Sequence, residues 1–385
     1  MTITSIGLDL AKKVFQVHGI DSEGKVVVAR QLKRKDVVGY FAKLPACLVG
    51  MEACGSAHYW AREIAKLGHT VRLMPPKDVK AYVKRGKTDA GDAEAICEAV
   101  SRPSMTFVPV KSVAQQGLSM LHSVRSQLVN QRTQIVNAVR GHLSELGIVA
   151  ERGLLGLAER AAVVRDQSDE RLPLTARAAL IIRVNQIEMT SVEISKLDKA
   201  LRQDNKANDL GRRLETVPSR GPIIASAFRA RVTKPELFKN GRHLAAWIGI
   251  VPENDSTGGK SKQKGLSKKG DRYLRALLVN GAMAIVRQAK MSPAKYPWVA
   301  GLLGRMSAKR AASALANKTA RMAWAIRVRG GLYKTGHRAP QSRAQACAAT
   351  GSEGLAMCDL PHRRRTIVDV RARGTRRKAS RLRRC

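Results

Sequence analysis

Ile3-Thr-Ser-Ile-Gly-Leu-Asp9, Val14-Phe-Gln-Val-His-Gly-Ile20 and Gly24-Lys-Val-Val-Val-Ala-Arg-Gln31 lie one after another at the start of the chain. Apolar and β-branched residues dominate all three runs. Gly19 to Gly24 offers a turn between the second and third. The spacing predicts strands over 3–9, 14–20 and 24–31. The order then changes. A helix is expected near 35–43, a strand at 46–51 and a helix near 57–67. Thr70-Val-Arg-Leu-Met74 reads as a fifth strand before Pro75-Pro76, and a helix from about 89 closes the unit before Pro103. Three consecutive strands followed by alternating helices and strands describe a mixed α/β sheet. This is the order of a ribonuclease-H-like fold, with Asp9 on its first, central strand.

Four acidic residues stand out against that frame. Asp9 and Glu52 end apolar runs that read as buried strands, where a carboxylate is costly unless a cation or hydrogen bonds compensate it. Asp89 and Asp92, in Lys87-Thr-Asp89-Ala-Gly-Asp92, are three residues apart at a helix start and share one face. The bland reading is that these two only complement the dipole of a helix capped by Thr88. Four converging carboxylates suit a hard divalent ion such as Mg2+. Two such ions can activate and stabilise the oxygens of a phosphodiester exchange.

From about 111 to 146 the chain is free of proline, and Leu121, Val124, Leu128, Ile135 and Ala138 recur at three-four spacing, with Gln131 interrupting. Leu180, Val184, Ile187, Ile194 and Leu201 form a second such series. Two long amphipathic helices suggest an antiparallel coiled-coil arm, with residues 150–172 as its hairpin. Two ordinary core helices of a bundle are the plainer alternative. A further globular region starts near Leu214. Val217-Pro-Ser-Arg-Gly-Pro222 is a tight turn feeding a helix, which either presents N–H groups to a phosphate or simply connects helices. Helices near 241–248, 271–290 and 309–328 complete this region. The expected domains are 1–105, 106–210, 211–335 and a basic, disordered tail over 336–385.

Pro252-Glu-Asn-Asp-Ser256-Thr-Gly-Gly-Lys260-Ser-Lys-Gln-Lys-Gly-Leu-Ser267-Lys-Lys-Gly-Asp-Arg272 reads as a glycine-rich basic loop. Its cations Lys260, Lys262, Lys264, Lys268, Lys269 and Arg272 are the expected nucleic-acid contacts. Ser256, Thr257, Ser261 and Ser267 are hydroxyls held among cations, any of which could act as a nucleophile. The alternative is a DNA-contacting loop whose serines are polar filler.

Composition narrows the partner. The 385 residues carry 70 Lys and Arg against 30 Asp and Glu, a formal +40, spread along the chain. A polyanion is the natural partner, and nucleic acid the first candidate. An acidic membrane surface would also attract such a chain, but no apolar run is long enough to span a bilayer and no signal peptide is evident. The six cysteines show no CxxC spacing, which favours a reducing cytoplasm over a disulfide framework or a zinc site. At 4% aromatic residues, base stacking is not the expected binding mode. Gly86-Lys-Thr88 and Gly259-Lys-Ser261 echo the end of a P-loop, but Ala81 and Asn254 stand where its first glycine belongs. His58, His122, His142 and His243 are scattered and read as structural or RNA-facing.

Taken together, Gly7-Leu-Asp9-Leu-Ala-Lys12, Gly50-Met-Glu52-Ala-Cys54, Lys87-Thr-Asp89-Ala-Gly-Asp92-Ala, the stretch from Phe238 to Pro252 and the Ser256-to-Arg275 segment resemble the insertion-sequence transposases of the IS-one-ten family, especially its IS-eleven-eleven group. These are also called DEDD transposases or RNA-guided bridge recombinases. The likeness covers roughly residues 3 to 335. It implies a RuvC-like N-terminal domain carrying the four acids as Mg2+ or Mn2+ ligands, a coiled-coil insertion and a mostly helical C-terminal transposase domain. It implies a serine, mapping to Ser256, that bonds transiently to cut DNA. Thr257 stands where many relatives have a second serine. It further implies donor and target DNA, a structured noncoding guide RNA, a homo-dimer or tetramer, and a bacterial, nucleoid-associated setting. The chain departs from the family pattern at Ser219-Arg220, where a glycine-containing hairpin is usual, and beyond about 335. The rival readings are a metal-dependent RuvC-like endonuclease that uses water, and an inactive nucleic-acid-binding remnant.

Overall fold

The computed structural model describes residues 2–84, 86, 88–151 and 153–333. The expected tail over 336–385 lies outside the described residues. Met1–Lys334 form one compact unit. Its N-terminal part contains β1 (Ser5–Asp9), β2 (Val14–Ile20), β3 (Val26–Lys33), α1 (Val37–Ala42), β4 (Leu48–Glu52), α2 (Ala57–Lys66), β5 (Thr70–Met74), α3 (Pro76–Val79) and α4 (Asp89–Val100). The sheet order is β3-β2-β1-β4-β5. β1 runs antiparallel to β2 and parallel to β4. β2 and β3 are antiparallel, and β4 and β5 parallel. β1 is therefore central in a mixed sheet, consistent with the ribonuclease-H-like expectation.

The two faces of the sheet are covered differently. Ile6, Leu8, Phe15, Val17, Val49 and Met51 are buried together with Val37 and Phe41 of α1 and Trp60 and Ile64 of α2. On the other face α4 packs directly on β1, β2 and β4. Gly7 and Gly50, which are register partners, make that approach feasible. A Cβ on Gly7 would lie 2.1 Å from the Ala93 carbonyl oxygen, and one on Gly50 2.7 Å from Cβ of Val100. Two side-chain-free positions at one level of the sheet thus set how closely α4 can sit.

The chain continues into α5 (Val113–Glu145), α6 (Leu154–Arg165) and α7 (Leu174–Ala207). Ser112 and Gln115 close a reciprocal capping box at the start of α5. α5 and α7 pack along each other. Arg125 of α5 pairs with Asp198 of α7, while Arg132 donates to Ser191, so the helices run antiparallel. Leu180, Val184, Ile187, Ile194 and Leu201 are all buried, as the spacing predicts. The stripe on α5 differs. Its buried residues are His122, Val139 and Leu143, and Val124 is exposed. The expected hairpin over 150–172 contains α6, which packs on α7.

α8 (Asp209–Glu215), α9 (Pro222–Arg231), α10 (Gly241–Ile248), β6 (Pro252–Thr257), β7 (Lys260–Leu266), α11 (Arg272–Met291), α12 (Pro297–Leu303) and α13 (Ala308–Arg329) follow. The helices share one core, including Leu214, Phe228, Leu244, Ile248, Leu278 and Ala316. The turn before α9 puts Ser219 at φ 68°, in the left-handed region usually filled by glycine, so a serine adopts the shape the departure at Ser219-Arg220 had put in question. Arg220 is buried, lies over the Phe228 ring and donates to the Thr319 carbonyl. Among the described residues no helix is long and apolar enough to cross a membrane.

Candidate metal centre and serine hairpin

The acids are positioned by the close seating of α4. Gly7 points its missing side chain at α4, and the two-residue alternation of a strand puts Asp9 on the same face. Gly50 and Glu52 repeat that relation on β4. At the start of α4 the Thr88 hydroxyl accepts from the Gly91 N–H at 3.1 Å, fixing the helix terminus. Asp89 and Asp92 lie in that first turn. The outcome is that Asp9, Asp89 and Asp92 each offer a carboxylate oxygen within 4.8 Å of the others. Glu52 is outside this group of three. It sits at the end of the neighbouring strand, one residue beyond the Leu8–Met51 pair. Both Glu52 and Asp9 act on Cys54, whose thiol is pushed up first by burial and then by these two charges.

Three carboxylates within ligand reach make a hard oxygen site, the donor set that Mg2+ or Mn2+ takes. The capping reading of Asp89 and Asp92 explains the helix start but not the approach of Asp9 from a different element. One neighbour escaped the sequence reading. Gln16 is the register partner of Asp9, on the same face, and is 8% exposed. The signal was present in β2 as a polar residue between Val14 and His18 on the face covered by α4.

The segment read as a flexible basic loop is a two-stranded antiparallel ribbon. Gly258 and Gly259 take φ 56° and 76°, the positive values that a two-residue hairpin turn demands. Ser256 pairs in register with Ser261, Asp255 with Lys262 and Thr257 with Lys260. Alternation therefore sets Ser256 on one face with Asn254 and Gln263, and Lys260 and Lys262 on the other. For Ser256 the expectation of a hydroxyl held among cations is corrected accordingly, while Thr257 shares the face of Lys260 and Lys262. Ser256 is exposed. Lys264 pairs with Asp255 at 2.6 Å and Lys269 with Glu253 at 2.8 Å, while Lys268 and Arg272 are exposed beyond the ribbon. Ser267 lies where the ribbon returns, its N–H donating to the Val251 carbonyl at 2.9 Å.

The sheet with its acids and the C-terminal helices with their ribbon match two family models. Residues 6–148 match the DEDD transposase model, and residues 211–297 match the model described as Transposase IS116/IS110/IS902 family. A probable family 20 transposase of Pseudomonas aeruginosa is 48% identical over 340 residues, covering 87% of this chain and 100% of the relative. The chain belongs to the IS116/IS110/IS902 transposase family. The transposase for insertion sequence element IS1111A of Coxiella burnetii is 38% identical, over 87% of this chain and 92% of the relative. That for IS1328 of Yersinia enterocolitica is 37% identical, over 86% and 98%. All four acids lie inside the first match and Ser256 inside the second, so the transposase carries both candidate groups in the regions that define the family.

The histidines have structural partners where the structure gives them. His58 Nδ1 accepts from the Lys111 N–H at 3.2 Å. His122 is fully buried, with Nδ1 3.0 Å from the Tyr273 hydroxyl and Nε2 3.0 Å from the Ser226 hydroxyl. Burial, followed for His58 by Lys111 and for His122 by Arg231, lowers both to about 4, so both are neutral near pH 7. His122 thereby joins α5 to α9 and α11. His243 Nδ1 accepts from the Lys239 N–H.

Proposed function

We propose that this insertion-sequence transposase cuts and rejoins DNA through a serine–phosphodiester intermediate, with Asp9, Glu52, Asp89 and Asp92 holding Mg2+ or Mn2+. The observation that carries this reading is the convergence of Asp9, Asp89 and Asp92, from a central strand and a separate helix, to within 4.8 Å. Bound there, a divalent ion supplies charge for the oxygens of the scissile phosphate. Ser256 is the nucleophile. Its Oγ forms a bond to the scissile phosphorus and gives up its proton, while the phosphorus–oxygen bond to the departing strand breaks and that oxygen is protonated. Attack by the hydroxyl of a different strand reverses the exchange and frees the serine, so no phosphodiester energy is lost to water. Exposure of Ser256 on a ribbon supports access by a bulky strand.

Lys260 and Lys262, on the ribbon face opposite Ser256, and Lys264, Lys268, Lys269 and Arg272 neutralise phosphates of the strands that the ribbon meets. A structured noncoding RNA supplies sequence choice. The +40 balance supports this division, since the protein then needs phosphate-binding charge more than base-reading side chains. The active assembly is a homo-oligomer, supported by Ile182, Met189 and Val192, which leave α7 with exposed apolar side chains.

The test uses the full chain with its element's RNA and metal. A shift from Mg2+ to no divalent ion abolishes cleavage and leaves RNA affinity unchanged within a factor of about two. Cleavage at full rate in a chelator would remove the metal role.

A further inference from the structure

Outside the acids and the ribbon, a concavity with charged groups in its walls lies between α5, α7 and α11. It encloses about 700 Å³, within the usual range for a ligand site, and its lining includes Arg125, Arg132, Asp198, Lys199, Arg202 and Asn280. Asp198 is held by Arg125. Arg132 has a neutral partner, the Ser191 hydroxyl at 3.3 Å. Lys199 and Arg202 stand exposed at the mouth with no acid within salt-bridge distance among the described residues. Four cations less one carboxylate leave a formal +3 in this cleft.

The contrast with neighbouring cations is informative. Lys196 pairs with Glu193, Arg229 with Asp204, and Arg212 and Arg213 with Asp209. Those are the solvated or internally matched charges expected of helix surfaces. The cleft instead gathers its uncompensated cations around a hollow. Like charges drawn together at a concave surface repel one another, and an anion with spaced negative groups offsets that repulsion. Guanidinium and ammonium groups bind phosphate oxygens well, the former in a bidentate manner.

We propose that this cleft binds the phosphodiester backbone of a nucleic acid, at a place separate from the acids and the serine ribbon. An acidic protein segment is the weaker occupant, because the chain itself has only 30 acids against 70 basic residues and its family acts on nucleic acid. Beyond the cleft itself, the inference draws only on family membership. It stands or falls independently of the metal and of Ser256.

The test is the salt dependence of binding of the full chain to three probes of equal length: single-stranded RNA, single-stranded DNA and duplex DNA. The variants are Lys199→Ala/Arg202→Ala and a charge-matched control, Lys25→Ala/Lys43→Ala, in which both residues are exposed and lie in the N-terminal region. Loss of two phosphate contacts lowers the log–log salt slope by about 1.4 for a single strand or about 1.8 for a duplex. That fall is expected in the cleft variant only. The probe that responds identifies the backbone bound. An unchanged slope with all three probes, or an equal fall in the control, overturns the proposal. So does an altered oligomeric state with the slope intact, which would give the cleft to a second copy. Both cleft positions are exposed, so melting temperatures of variant and wild type should coincide and separate a binding effect from misfolding.

Discussion

The acids and the serine are supported in opposite ways. Asp9 and Glu52 end strands whose central residues are buried, and α4, seated on Gly7 and Gly50, brings Asp89 and Asp92 to Asp9. Ser256 stands on a largely polar ribbon whose described side chains are mostly exposed. An isolated two-stranded hairpin has marginal stability in water. The acid end is thus held by a packed frame, whereas under the proposed mechanism the serine end gains its working geometry from contact with nucleic acid. A group of carboxylates repels itself and needs a stiff frame to be held together. A nucleophile that must reach a strand and later release it gains from compliance.

That difference can be broken by substitution. Asp9→Asn removes one ligand charge while keeping shape. Cleavage should fall below detection, and RNA affinity should stay near wild type, because one charge is a small part of +40. Gel assays of cleavage and binding on the same preparation measure both, and parallel loss of the two would indicate misfolding.

Acid should act next most strongly, at the joint rather than at either end. His122 has a folded-state value of about 4 against 6.5 unfolded, and burial is the first cause. Above pH 6.5 both states are neutral and the stability is fully present. It declines as pH falls from 6.5 toward 4, by a total on the order of 3 kcal/mol. Thermal melts across that window should show the decline, and His122→Gln should remove its own share of it and leave the share of His58, which burial lowers to a similar value. An unchanged pH profile in that variant would remove His122 as the cause.

Gly7→Ala should cost about 1–3 kcal/mol, since the added methyl meets the Ala93 carbonyl and α4 must lift. Cleavage should fall by more than the stability loss explains, because Asp89 and Asp92 move with α4. A variant with normal cleavage would show that the seating of α4 does not set the acid geometry.

The smallest effect belongs to the ribbon tip. Lys260→Ala/Lys262→Ala should leave the melting free energy within about 0.5 kcal/mol, as expected for exposed residues outside any core. The salt slope of DNA binding should nonetheless fall. A large destabilisation would mean that the ribbon is part of the folded frame and would erase the contrast between the two ends.

What was readable in the sequence follows the same division. β1 to β5 and the buried side of α7 were legible because burial imposes a period on apolar residues, and Leu180, Val184, Ile187, Ile194 and Leu201 keep that period. The approach of Asp9, Asp89 and Asp92 was legible because a carboxylate ending an apolar strand and two more spaced three apart at a helix start are conspicuous, whereas Glu52 lies outside that group. The ribbon was not, since a strand without an apolar face has no hydrophobic alternation, and only Gly258-Gly259 marked its turn. His122, read as structural or RNA-facing, is structural, but its place in the core was not legible because counting apolar positions passes over a histidine whose two nitrogens are both bonded. Gln16 was missed because its importance comes from lying opposite Asp9 across β1 and β2, a relation of register rather than of sequence. The hollow between α5, α7 and α11 was hidden for a related reason: its cations come from two helices more than fifty residues apart.

The most direct measurement incubates the full chain with its element's RNA, labelled donor and target DNA and Mg2+, then separates the products under denaturing conditions. A covalent protein–DNA adduct should form with the wild type and be absent with Ser256→Ala, while that variant keeps its melting temperature and its RNA affinity. Cleavage without any adduct, or an adduct that persists in Ser256→Ala, would contradict a serine nucleophile at this position.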